Sequence, residues 1–232
     1  MHDTRAAPGA TSAIPVALYL QVRDYLLEHD PDAAEMVRWS REDCRPPQTG
    51  EDMASEVIWI ILCAGKTAQA ARTIERKVWA ALEAGTPVLQ AFGHRMRATA
   101  IERAWRERDQ DLANFRAASA RGPAAALEWA ESLPGVGAIT KYQLLKNFGA
   151  HLAKPDLWLC RFAGIAPTDR VRPEERFARC QALTEALAAA TADIVPVVDS
   201  VLWLAGNKGL LQVDFEPHRI AFTRGVRRGS IY

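Results

Sequence analysis

The chain is poor in the features that announce a metal centre, a membrane or an export route. Its four cysteines, Cys44, Cys63, Cys160 and Cys180, are widely spaced and form no Cys-x-x-Cys pair. Neither a zinc site nor an iron–sulfur cluster is therefore supported, and reduced, intracellular thiols are the simpler reading. No apolar run approaches membrane-spanning length. The start, MHDTRAAPGATSAIP, lacks a hydrophobic stretch flanked by positive charge and does not read as a signal peptide; residues 1–13 are expected to be a disordered tail. Charge of one sign is missing too. Lys and Arg number 29 against 28 Asp and Glu, a formal net charge of +1, so electrostatics has to be read locally. There is no internal repeat and no low-complexity block. A soluble, cytoplasmic, monomeric protein is expected.

What is present is an ordinary globular composition, 49% hydrophobic and 25% charged over 232 residues, enough for one large domain or two small ones. Helical spacing runs from Ile14 to Glu28 and stops before Asp30-Pro31, with a short helix expected over Asp32 to Trp39. Ser40 to Gly50, punctuated by prolines, reads as a linker. Thr49, with Asp52 three residues on, can cap a helix through Met53 to Leu62 that is apolar nearly all round, as at a bundle's centre. Thr67 can cap the next, ending at Gly85, and Pro87 starts a short turn. Two helices are expected between His94 and Ala120, with Ile101, Ala104, Trp105, Leu112 and Phe115 inward. Pro173 starts a helix through Ala190, and Pro196 another closed by Gly206. Only the tail from Leu210, LLQVDFEPHRIAF, hints at strand or an extended arm. The fold class is all-α.

The most informative stretch runs from Leu127 to Gly164. Two helical patterns flank the turn Leu133-Pro134-Gly135-Val136-Gly137, the second stops at Gly149, and Asp156 opens a third helix. Such a turn directs unpaired amides of the second helix's first turn outwards, where the helix dipole reinforces them as an anion site. Pro-Gly turns between helices are also common and often only structural, and an Asp after Pro is an ordinary N-cap.

LPGVGAITKYQLLKNFG followed by KPDLWLCRFAG resembles the helix-hairpin-helix plus Gly/Pro/Asp segment of the helix-hairpin-helix DNA glycosylase superfamily. SEVIWIILCAGKTAQAARTIERKV is similar to that family's first bundle helices and its duplex-probing loop. The resemblance implies two helical lobes with the helix-hairpin-helix motif at the cleft between them. One would be a six-helix bundle over 50–149, the other 14–49 plus 150–232. Such enzymes bind double-stranded DNA, extrude a modified base and cleave its N-glycosidic bond. Asp156 matches the family's catalytic aspartate, which stabilises positive charge developing on the sugar and orients the attacking water. Leu133, Gly135, Val136, Gly137, Thr140 and Lys141 would hold DNA phosphate, and main-chain carbonyls of the turn would be candidates for a monovalent cation, with no metal ligand from side chains.

The departures from the family pattern narrow the mechanism. Members that also cut the backbone carry a lysine two residues after the last hairpin glycine, acting through a Schiff base; here that position is Ile139. Lys141 lies about 200° further round a helix and does not simply substitute. Lys141 and Lys146 read as a solvated face or phosphate contacts. Endonuclease III and its relatives often hold an iron–sulfur cluster through C-terminal cysteines, which this chain lacks. Gly65 and Lys66 stand at the probing loop, though a surface lysine is an equal account. Trp158, where several relatives have histidine, is a candidate for the base pocket or for core, as is Trp39; Trp59 leans to core. Asp199 is the rival carboxylate, which could cap, pair or face the cleft. Arg219, Arg224, Arg227 and Arg228 could follow DNA or simply solubilise. The expectation is a monofunctional glycosylase, with a non-catalytic DNA-binding module and a glycosylase-lyase using Lys141 as alternatives. Which base is removed is not legible.

Overall fold

The computed structural model describes residues 14–66, 68–216 and 218–223. The expected cap Thr67, the tail 1–13 and the basic residues Arg224, Arg227 and Arg228 lie outside these. Twelve helices and a two-stranded antiparallel sheet make up the described chain, an all-α fold with one β hairpin. None of the helices is long and apolar enough by itself to cross a membrane. The described residues divide into two compact units, Trp39–Lys154 and a second built from residues 14–38 with 155–223.

The first unit contains the C-terminal end of α2 (Pro31–Glu42), then α3 (Gly50–Cys63), α4 (Ala68–Glu83), α5 (Val88–Ala91), α6 (Arg95–Arg106), α7 (Arg108–Ala120), α8 (Pro123–Ser132) and α9 (Thr140–Asn147). The helix α3 is central, packing against α4, α6, α7 and α9. Met53, Ile58, Ile61 and Leu62 are fully buried, as its all-round apolar sequence requires. It opens with a complete capping box: Asp52 N–H donates to Thr49 Oγ1 at 3.1 Å while Asp52 Oδ2 accepts from the Thr49 amide at 3.0 Å. Those amide bonds, from Thr49 first and then Gln48, hold the Asp52 carboxyl below its ordinary range. The helices α6 and α7 are tied by Arg103, whose guanidinium grips buried Asp111 with two bonds of 2.6 and 2.8 Å. Ile101, Ala104, Leu112 and Phe115 are buried as expected. Trp105 is only half-buried, set edge-on to Trp79 at 5.5 Å with the Arg108 guanidinium 4.3 Å over it.

The supposed linker is in part helix and is packed on the bundle. No breaker stands between Trp39 and Pro46, so α2 continues to Glu42, and Cys44 N–H still returns to Trp39 O at 3.2 Å. Further on, Arg116 donates to Gln48 O at 2.9 Å. Gly149 (φ +86°) follows α9 so close to this segment that a Cβ there would sit 3.1 Å from Cys44 O.

The second unit packs α1 (Val16–His29) against α11 (Pro173–Thr191) and α12 (Val195–Asn207), with α10 (Leu157–Phe162) on both of the latter. Ala192 takes a left-handed φ of 59° between α11 and α12. The next residue, Asp193, accepts from Tyr19 Oη and Arg23 Nη1, both at 2.9 Å, on one carboxylate oxygen. The tail resolves the choice between strand and arm: β1 (Leu211–Phe215) pairs with β2 (His218–Phe222) in the register Leu211↔Phe222 to Phe215↔His218.

Gly206 does not close α12. The helix continues to Asn207 and the end is made by Gly209 (φ +70°): Gly209 N–H returns to Gly206 O at 3.0 Å and Leu210 N–H to Ala205 O at 2.8 Å, a Schellman closure. Gly206 is buried for another reason. A Cβ on it would lie 2.5 Å from Trp158 Cδ2; its bare backbone is the seat of the indole.

Candidate functional site

The turn after α8 is built by its sequence. Pro134 occupies the second position and Gly135 the third, with φ +86°, and Val136 N–H donates to Leu133 O at 3.0 Å, which makes it a type II turn. Gly135 is required twice over, because a Cβ would also come within 2.9 Å of Ile61 Cγ1 in the last turn of α3. Gly137 is different. Its φ is not positive, and a Cβ there would meet nothing nearer than Thr140 Oγ1 at 4.0 Å. Leu133 and Val136 are buried and anchor the turn on the bundle, while Gly135, Gly137 and Ala138 are exposed.

The amides divide into used and unused. Gly137 N–H donates to Thr140 Oγ1 at 2.8 Å and Lys141 N–H to Gly137 O at 3.0 Å. Those of Ala138, Ile139 and Thr140 have no protein acceptor among the described residues. They belong to the start of α9, which has no side-chain cap. Three adjacent N–H groups at a helix N-terminus are a ready anion site. The amides that fit this role are therefore one to three residues later than Gly137.

In the other unit, Asp156 is the N-cap of α10, with φ −83° and ψ −175°. Its Oδ1 accepts from Trp158 N–H at 3.0 Å and Leu159 N–H at 3.2 Å. The carboxylate is half-buried and its direction is fixed by two backbone donors. The indole of Trp158 lies against α12 at Gly206, stacks on Phe162 at 6.3 Å and carries the Arg161 guanidinium 4.9 Å over it.

No protein-family model matches the sequence, and no curated protein sequence does. Solved structures do. The 8-oxoguanine glycosylase/lyase of Methanocaldococcus jannaschii, crystallised with a 15mer DNA containing 8-oxoguanine, matches with a TM-score of 0.57 at 16% identity, over 82% of this chain and 97% of that one. The 8-oxoguanine DNA glycosylase of Thermotoga maritima matches with a TM-score of 0.58 at 20% identity, over 81% and 94%. The chain has the fold of these 8-oxoguanine DNA glycosylases.

Within this glycosylase fold the residues singled out from the sequence fall into two sets. The turn, Gly65, Lys66 and Trp39 belong to the bundle unit; Asp156, Trp158 and Asp199 belong to the other. Gly65 (φ +69°) and Lys66 are exposed in the turn that leaves α3, four and five residues after the Ile61 on which Gly135 rests, so the hairpin and this turn share one end of α3. The Lys66 ammonium stands 5.8 Å over Phe92. Trp39 is half-buried near the end of α2.

Lys141 is neither a solvated nor an unengaged lysine. Its Nζ is paired with Glu131 Oε2 of α8 at 2.5 Å and lies 5.3 Å over Tyr142, bracing the two hairpin helices. Lys146, the other expected surface lysine, is 4% exposed, because α9 turns that face to the bundle. Ile139, half-buried, holds the N-cap position of α9. Asp199 is 2% exposed in the middle of α12; the Cys180 thiol is pushed up by its bond to Cys160 and then by burial, with Asp156 and Asp199 adding in the same direction.

Two groups escaped the sequence reading. Glu131 had no signal beyond being ten residues before Lys141. Glu56, in the SEV stretch quoted above, is a largely buried carboxyl bonded by Asn147 Nδ2 at 2.8 Å, and Asn147 is in turn bonded by Gln143 at 2.7 Å. Burial pushes the Glu56 carboxyl up, against the Asn147 bond that lowers it.

Proposed function

We propose that this protein is a monofunctional DNA glycosylase that removes a modified base from duplex DNA by hydrolysis of the N-glycosidic bond. The observation that carries the proposal is Asp156: in a chain with a glycosylase fold, a carboxylate is held in one orientation by the two amides of α10. As the base leaves, positive charge develops on the deoxyribose, and a preoriented anion stabilises it without reorganisation. The unused amides of Ala138, Ile139 and Thr140 are assigned to a DNA phosphate, which fixes register but carries no base information. Gly65 and Lys66 are assigned to the gap left by the extruded base, and Trp158 and Asp199, which belong to one unit, to the base pocket. A monovalent cation at the turn would be held by main-chain carbonyls; Leu133 O and Gly137 O already accept hydrogen bonds from the chain.

Hydrolysis without strand cleavage is favoured by Ile139, which has no nucleophile, and by the pairing of Lys141 Nζ with Glu131 Oε2, which directs that side chain to α8. The competing glycosylase-lyase reading draws on the Methanocaldococcus jannaschii protein, a glycosylase/lyase. The substrate to try first is 8-oxoguanine, the base named for the matched structures, alongside duplexes that each carry one alkylated, oxidised or mismatched base. Abasic product is scored with and without alkali. Asp156→Asn is expected to lower base release on the order of a hundred-fold or more, with DNA affinity within a few fold, because the carboxylate acts on charge present only in the transition state. Undiminished release by this variant would overturn the assignment. Borohydride trapping of a covalent adduct, lost in Lys141→Ala, would overturn the monofunctional reading.

A further inference from the structure

One turn on from Asp156, two thiols meet in the packing of α10 on α11. Cys160 and Cys180 are 7% and 0% exposed, and their sulfurs are 3.9 Å apart. The Cys180 thiol donates to the Cys160 sulfur, and the Cys160 thiol donates to the Pro155 carbonyl at 3.4 Å. That carbonyl belongs to the peptide group immediately before Asp156, and Cys160 N–H donates to the Asp156 carbonyl at 2.9 Å. The pair therefore touches the backbone on both sides of the residue whose carboxylate caps α10.

We propose that Cys160 and Cys180 are a redox modification site, closing to a reversible intramolecular disulfide under a hydroperoxide and loosening the turn that carries Asp156. In the first step the Cys160 sulfur attacks the peroxide; an S–O bond forms, the O–O bond breaks, and hydroxide leaves and takes up a proton as water. In the second the Cys180 sulfur attacks Cys160; the S–S bond forms, the S–O bond breaks, and a second water leaves with the remaining thiol proton. Two thiols are oxidised by two electrons and one hydroperoxide is reduced. Cys160 is the natural first thiol: the bond from Cys180 lowers its pKa, with Arg176 acting in the same direction, while Cys180 is pushed up by the same bond and by burial. Burial also pushes Cys44 and Cys63 up to about 12, which disfavours their thiolates.

Closure brings the sulfurs nearer by about 1.9 Å, to a bond of ~2.0 Å. The Cys160 thiol then has no proton to give the Pro155 carbonyl, and α10 is pulled towards α11. The amide bonds from Trp158 and Leu159 to Asp156 are the contacts most exposed to that displacement.

The test uses the full chain, reduced and then treated with hydrogen peroxide. The expected product is two hydrogens lighter, yields a linked peptide joining Cys160 to Cys180, and reverts with dithiothreitol. Hydrogen exchange at the Trp158 and Leu159 amides is expected to quicken in the oxidised form and to return on reduction. Cys180→Ser and Cys180→Ala are both expected to remove the reversible change, so a folding defect in one leaves the other as control. Persistence of four free thiols under peroxide, linkage to Cys44 or Cys63 instead, or unchanged exchange in the disulfide form would each overturn the proposal. Its consequence for turnover rests on the glycosylase reading: base release should fall on the order of ten- to a hundred-fold, the scale of a misplaced catalytic group, and recover with thiol. Absence of base release from the reduced protein would count against the glycosylase reading and leave the mass and exchange readouts to decide the thiol pair.

Discussion

Replacing Gly206 with alanine sets two effects of opposite sign against each other, and the structure decides which prevails. Gly206 lies inside α12, where Gly→Ala by itself stabilises by about 1 kcal/mol through backbone entropy and helix propensity. The added Cβ would lie 2.5 Å from Trp158 Cδ2 and 2.7 Å from Cε3 and Cγ. These separations are about 1 Å short of an ordinary carbon contact, and the obstacle is a fused ring held by Phe162 and Arg161 rather than the tip of a flexible chain. Overpacking of this kind costs about 1–3 kcal/mol, so Gly206→Ala is expected to come out neutral to ~2 kcal/mol destabilising. Trp158→Leu removes the obstacle, and in that background the same change should stabilise by about 1 kcal/mol. The coupling between the two positions is then on the order of 1–3 kcal/mol. Urea unfolding of the two single variants and the double variant, followed by circular dichroism, measures it. Equal effects of Gly206→Ala in both backgrounds would refute the claim that the glycine exists to seat the indole. Because Trp158 N–H also donates to Asp156, displacing the ring should lower base release more than DNA affinity.

The hairpin glycines should separate cleanly. Gly135→Ala is expected to cost about 2 kcal/mol, from the left-handed φ and the approach to Ile61, and to weaken binding to all duplexes alike. Gly137→Ala should cost less than about 0.5 kcal/mol, so similar losses from both would contradict the turn geometry. Arg103→Met leaves Asp111 buried without its cation and should cost roughly 3–5 kcal/mol in urea unfolding, whereas Arg103→Met with Asp111→Leu should recover much of it. Glu56→Gln should raise the Tm above the pKa of the folded carboxyl. The folded value exceeds the unfolded one, so this group lowers stability as pH rises between the two, and the difference from wild type should vanish below the unfolded value, about 4.3. A Tm difference that persisted at pH 3 would point to packing instead.

The helices were legible where a local signal sufficed. Thr49 with Asp52 announced a capping box, Gly149 and Gly85 announced helix ends, and the apolar circumference of 53–62 announced a buried central helix; all three depend on residues within a turn or two of one another. Gly206 misled because a glycine after a helical run looks alike whether it ends the helix or admits a ring from a distant segment. The stretch 40–50 misled for the same reason, since its packing depends on Gly149 and Arg116, far along the chain. Lys141 and Lys146 looked like surface charge because their surroundings, Glu131 and the bundle interior, are tertiary.

By itself the sequence determined the type II turn at Leu133–Val136, through Pro134 and Gly135, and the capping aspartate at the head of α10, because turn chemistry and capping are settled by neighbours along the chain. By resemblance alone it led to the expectation that Ile139 stands where lyase members of that family carry a lysine. Only the tertiary structure decided that Lys141 is held by Glu131, that Trp158 rests on Gly206, and that Cys160 and Cys180 come within reach of one another. Each of these is an approach between separate elements, and its free energy is set by packing and burial that no window along the sequence contains.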